Sequence, residues 1–104
     1  MAQFDIYENI EPESKDIIPF LLDVQYDLHT NLATRTIIPL VAIGSCKEAI
    51  TKLCPIISVL GRDVVVSTPE IAGYPVRDLG ARVMSASEHR SEILGAIDFL
   101  LSGF

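Results

Sequence analysis

The chain has 104 residues, 14 acidic and 8 basic side chains, and a formal net charge of −6. Its composition, 49% hydrophobic and 21% charged, is that of a globular chain, and its length fits one domain, 1–104. Residues 1–30 hold seven acids (Asp5, Glu8, Glu11, Glu13, Asp16, Asp23 and Asp27) against Lys15 alone, whereas residues 31–104 hold seven of each sign. The net charge therefore belongs to the first thirty residues, and the clustered Lys and Arg that a phosphate backbone demands are missing.

In chain order, Gln3–Tyr7 alternates polar and apolar residues and predicts a strand. Glu8–Lys15, with four charges, Pro12 and Ser14, predicts a solvated loop. Ile17–Gln25 and Thr36–Ile43 are rich in branched residues and predict strands on either side of a polar stretch. Pro19 and Pro39 cannot donate to a ladder, so they point to edges or bulges. Ser45 predicts the cap of a short helical turn running to Leu53. Pro55–Leu60 and Val64–Ser67 flank Gly61-Arg62-Asp63, a hairpin signal of the bulged or longer type. Glu70–Leu79, with Gly73 and Pro75, reads as a short interrupted β segment. Ser87 predicts an N-cap, Ile93, Ile97, Leu100 and Leu101 recur at helical spacing, and Gly103 suits the stop. The sequence thus reads as mostly β with a terminal helix.

No apolar run approaches the roughly 18 residues of a spanning helix, and the start, Met-Ala-Gln-Phe-Asp, has neither a basic nor an apolar signal region. A cytoplasmic location is expected. Cys46 and Cys54, separated by seven residues, match neither a redox CxxC nor a zinc pair and read as reduced thiols. His29 and His89 are too isolated for a metal site and read as solvated. No nucleophile elbow, Walker loop or GxGxxG is present, and the Glu8–Asp16 acids lack the ladder of a calcium loop. No cofactor and no metal are expected, and a binding protein is a better reading than an enzyme. The free end, Leu100-Leu101-Ser102-Gly103-Phe104, puts an aromatic beyond the helix, where it is either incidental or an anchor for a partner.

Several segments, in order, carry a resemblance. They are Gln3-Phe4-x-x-Tyr7, Leu22-Asp23-Val24-Gln25-x-Asp27-Leu28 and Arg35-x-x-Ile38-Pro39-Leu40, then Leu53-x-Pro55, Pro75-Val76, His89-Arg90-x-x-Ile93 and Ala96-Ile97-x-Phe99-Leu100, and finally Gly103. Together they resemble the CcdB toxins of bacterial toxin–antitoxin systems across nearly the whole chain. The resemblance implies an SH3-like barrel of about five strands, a small accessory sheet, a long C-terminal helix and a homodimer. It also implies that the toxin inserts into the A subunit of DNA gyrase and traps the enzyme on cleaved DNA. A cognate CcdA-like antitoxin with a disordered arm would displace it, and the two proteins would bind operator DNA only together. No membrane partner is implied.

Carried over by position, the gyrase-facing residues would be Leu28, His29, Asp98, Leu101, Ser102, Gly103 and Phe104. Gly103 is an identity, Leu28 and Leu101 are conservative, and Phe104 replaces a terminal aliphatic. Asp98 and His29 differ in chemistry from the family. Ser102 stands where the family's best-known member has a tryptophan that stacks on gyrase; loss of such a hot spot costs about 2–4 kcal/mol. Glu8, Glu11 and Glu13 would face the antitoxin, implying an arm rich in Lys or Arg. Two alternatives accompany this reading. One is a weakly toxic or non-toxic relative that acts as an antitoxin-binding co-repressor. The other is an mRNA endonuclease on the same barrel, for which the scattered arginines Arg35, Arg62, Arg77, Arg82 and Arg90 make no groove.

Overall fold

The computed structural model describes residues 1–27, 32–45 and 52–103. Seven strands, β1 (Asp5–Asn9), β2 (Phe20–Asp23), β3 (Thr34–Ala42), β4 (Ile56–Val59), β5 (Arg62–Val66), β6 (Ala72–Pro75) and β7 (Leu79–Ser85), precede one helix, α1 (Arg90–Ser102). All pairings are antiparallel, in the order β4-β5-β3-β2-β1-β7, with β6 joined to β3. The sheet curls into a half-barrel that the helix closes, which agrees with the β-then-helix order of the sequence.

β3 is the hub. One edge pairs β2 over Ile37–Leu40; the other pairs β6 over Thr34–Ile37 and then β5 over Leu40–Ala42. Pro39 is therefore central rather than at an edge. Its carbonyl accepts the Ser67 N–H at 3.0 Å, so its missing N–H faces the break between β5 and β6, where the chain turns through Thr68–Glu70. A proline is tolerated there because no strand asks it for a donor.

Several expected boundaries shift for local reasons. The first strand starts at Asp5 rather than Gln3, since Phe4 has a φ of +73°, a left-handed conformation no strand accommodates. The second is Phe20–Asp23, shorter than Ile17–Gln25. The hairpin between β4 and β5 turns through Leu60 and Gly61 alone, with Val59 opposite Arg62. Both loop residues have positive φ, as a tight type I′ turn requires, so Arg62 and Asp63 belong to the strand. Ser87 lies within the opening 3-10 turn, Ser87–His89, and caps nothing. Its N–H instead donates to the Ser85 hydroxyl at 3.1 Å. Gly103 does terminate the helix, at φ +76°, with its N–H donating to the Phe99 carbonyl. The turn expected after Ser45 falls largely outside the described residues, as does Cys46; Cys54 is buried.

Alternation assigns the two faces of the sheet. Ile6, Leu22, Val24, Ile38, Leu40, Val64 and Val66 face inward and pack with Ala86 and Ile93 of the helical segment. The opposite face is buried too, but its residues are mixed. Tyr7, Leu21 and Pro39 lie in one row, and beside them sit Asp5, Asp23, Arg35 and Ile37.

Candidate functional site

Two regions gather the residues singled out by the sequence. The first is the helix tip. Arg90–Ser102 spans about 18 Å at 1.5 Å per residue. Ile93 and Ala96 are buried, and Ile97 packs against the core. Asp98, Leu101, Ser102 and Gly103 are exposed, Leu101 at 79%. The Ser102 hydroxyl donates back to the Asp98 carbonyl at 2.6 Å, a bond confined to the helix's own backbone. The Lys52 ammonium sits 4.9 Å from the centre of the Phe99 ring. Leu28, His29 and Phe104 lie outside the described residues.

The corner that leads to Leu28 is held at the other end of the helix, by residues given no role from sequence. The Gln3 N–H donates to Asp27 Oδ1 at 2.6 Å and the Gln3 side chain to the Val24 carbonyl. The Phe4 N–H donates to the Asp23 carbonyl, the Phe4 carbonyl accepts the Ala86 N–H, and the Arg90 guanidinium lies 5.8 Å from the Phe4 ring centre. The strained turn at Phe4 thus ties the Val24–Asp27 segment to the first turn of α1, while Leu101–Gly103 stand at its last. The sequence reads Gln3 and Phe4 as strand residues, and no local pattern there signals this clip.

Beneath the corner is a buried ion pair. Arg35 Nε donates to Asp23 Oδ2 at 2.7 Å, with side-chain exposures of 1% and 0%. Asp23 Oδ1 accepts the Gln25 N–H, and Arg35 Nη2 donates to the Gln25 carbonyl. Burial pushes the Asp23 carboxyl above its ordinary 3.8, against the pull of Arg35 and the Gln25 N–H. Next to it the Tyr7 hydroxyl is pushed up to about 12, first by burial and then by the Asp5 and Asp23 carboxylates. Arg82 reaches Asp5 at 3.1 Å from the half-exposed side.

The second region is the acidic loop. Glu8, at the end of β1, and Glu11 and Glu13 are all exposed, but the backbone between them is more ordered than a merely solvated loop. Asn9, buried, donates to the Ser14 hydroxyl at 3.0 Å and to the Ile18 carbonyl at 2.8 Å, and its Oδ1 accepts the Glu11 N–H. The Ser14 and Lys15 N–H groups then close on the Glu11 carbonyl. Clefts open on both sides of this loop. One, lined by Lys15, Asp16, Phe20 and Arg62, lies on the β2 side; the other lies against β6. His89 is half-buried between Glu88 and Glu92, at 3.5 and 3.2 Å, rather than freely solvated. Among the described residues no group of three or more His, Cys, Asp or Glu could hold a metal ion, and no helix is long and apolar enough to cross a membrane.

These features define a class: a small curled-sheet protein, closed by one helix with an exposed tip and carrying an ordered acidic loop. The family model described as CcdB protein matches residues 3–103 of the chain. The chain belongs to the CcdB family, toxins of toxin–antitoxin systems. No match was found among curated proteins.

Proposed function

We propose that this single-domain toxin acts in the cytoplasm by binding, without catalysis, to the A subunit of DNA gyrase, and that it traps gyrase on cleaved DNA. The observation that supports this most directly is the helix tip, where Leu101, Ser102 and Gly103 stand exposed past the last turn that packs on the core. Leu28, His29, Asp98 and Phe104 complete the proposed surface. The corner and the tip belong to opposite ends of α1, and a homodimer is the arrangement that would combine them into one face. Glu8, Glu11 and Glu13 then serve the cognate CcdA-like antitoxin, and operator DNA is bound only by the two proteins together.

The test is a supercoiling and DNA-cleavage assay with purified gyrase. Cleaved complex should accumulate with toxin dose and vanish with gyrase of a toxin-resistant strain; full supercoiling at saturating toxin would refute the target. A second reading, a weakly toxic or non-toxic antitoxin-binding co-repressor, is favoured by Ser102, whose hydroxyl folds onto its own helix and offers no ring. Under that reading Ser102→Trp raises cleavage markedly, because a stacking tryptophan is worth about 2–4 kcal/mol at an interface.

A further inference from the structure

The cleft on the β6 side of the acidic loop has features beyond Glu11 that the function above does not use. Two adjoining depressions, of about 130 and 230 Å³, share Glu11 and Tyr74. The floor of the first is apolar. Leu21 pairs Pro39 and Ile37 pairs Ala72 across the ladders, so these four side chains lie on one face of the sheet. Tyr74 follows two residues after Ala72 on that face.

The rim is acidic. Glu11, Glu70 and Asp78 come from three separate parts of the chain. Burial raises the Tyr74 hydroxyl pKa, and the Asp78 and Glu11 carboxylates raise it further, which locates their field over this ring. Among the described residues neither Glu11 nor Glu70 forms an ion pair. Glu70 only accepts the Ser67 hydroxyl, at 2.7 Å, and Asp78 meets Arg77 at 3.8 Å with both side chains open to water, a contact worth little. Among the described residues, therefore, an apolar floor and an aromatic ring are surrounded by carboxylates of which only Asp78 meets a cation, weakly and in open water.

We infer that this cleft docks an extended, cationic segment of a partner polypeptide, one apolar side chain filling the floor and a Lys or Arg lying over Tyr74 among the three carboxylates. An extended chain repeats its side-chain direction every two residues, about 6.6 Å, which is the spacing from Ala72 to Tyr74. The matching pattern is apolar-x-Lys/Arg. The aromatic face and the carboxylates both favour a cation over a neutral group. β6 pairs only with β3 among the described strands, and Ala72 and Gly73 are exposed, so its outer edge can also accept main-chain hydrogen bonds. The inference rests on the proposed function only for the natural source of the segment, the antitoxin.

The test is an NMR titration of the purified toxin with a blocked hexapeptide, Ser-Ile-Thr-Arg-Thr-Ser, which carries the pattern. Controls replace Arg by citrulline, replace Arg by Glu, or place Ile and Arg side by side. Amide shifts should cluster at Ile37, Ala72 and Tyr74, and affinity should fall about tenfold with citrulline, further with Glu, and with rising salt. Glu11→Gln with Glu70→Gln, both at exposed positions, should weaken the Arg peptide and leave the citrulline peptide unchanged. Tyr74→Phe should retain binding and Tyr74→Ala lose it. Equal binding of the Arg, citrulline and Glu peptides overturns the inference, as do shifts confined to α1. So do groove shifts that follow toxin concentration without peptide, since a second copy would then be the occupant. The titration contains no gyrase, so its failure and that of the cleavage assay are separate results.

Discussion

Replacing Asp23 by Asn tests the account of the buried pair. The change keeps shape and removes charge, leaving the Arg35 guanidinium, 1% exposed, without its carboxylate. Arg35 Nη1 already has no hydrogen-bond acceptor among the described residues, so the residual charge has no second carboxylate in contact with it. Breaking a buried pair from one side costs about 3–5 kcal/mol, a large part of the roughly 5–15 kcal/mol that holds a domain folded. At about 4–8 °C per kcal/mol for a chain of this size, the midpoint should fall by roughly 12–40 °C. Replacing both partners by apolar residues, Asp23→Leu with Arg35→Met, should recover most of that loss, because no charge remains to be desolvated. The Gln25 backbone N–H and carbonyl still lose Asp23 and Arg35 as partners, so recovery stops short of wild type. Thermal and urea unfolding of the three proteins read the difference. A single variant costing under about 1 kcal/mol, or a double variant no better than the single, refutes the reasoning.

Tyr7 should keep its proton well above pH 10: between pH 10 and about 12 the folded chain holds a proton that the unfolded chain has lost, so stability falls through that window by up to about 3 kcal/mol. Tyrosinate absorbance and alkaline unfolding, each compared with Tyr7→Phe, measure it. Gly80→Ala would place a methyl 2.6 Å from the Glu8 carbonyl oxygen and 2.7 Å from Ile10 Cγ2, so urea unfolding should show a loss of about 1–3 kcal/mol. Leu60→Asn should stabilise by about 0.5–1 kcal/mol by the same assay, since Leu60 is 72% exposed at φ +53°, the turn position where Asn is favoured.

The elements legible in the sequence were those whose burial shows in a local period. The branched runs of β2 and β3, and Ile93 with Ile97 four residues on, declare themselves because one face of each element is apolar. β7 did not, because Leu79–Ser85 includes Gly80 and Arg82, and its pairing with β1 breaks register on either side of Tyr7. Gly80 reads as a turn residue but serves the close approach of β7 to β1. Asp23 and Arg35 read as ordinary surface charges, since only the fold shows that twelve residues of separation become 2.7 Å. The cleft was illegible for the same reason, as Glu11, Ile37, Glu70 and Tyr74 form no local motif.

The excess of acid in the first thirty residues changes meaning once placed in the fold. Asp5 and Asp23 are buried and matched, by Arg82 and Arg35, both from the half of the chain with balanced charge. That half returns acid to the amino-terminal loop, because Glu70 and Asp78 line the same cleft system as Glu11. The exposed negative surface is thus assembled across the whole chain, and its field is stronger than the loop alone would set. The described helix tip carries Asp98 as its sole charge over residues 98–103. Two surfaces of different electrostatic character follow from one topology. On the proposed function, contacts at the tip should depend on shape and apolar area and vary little with salt, whereas association through the loop and cleft should be steered by charge and slowed by salt. An antitoxin added to a preformed toxin–gyrase complex should then begin to bind at the acidic face, at a rate that falls as salt rises; a rate indifferent to salt counts against that route.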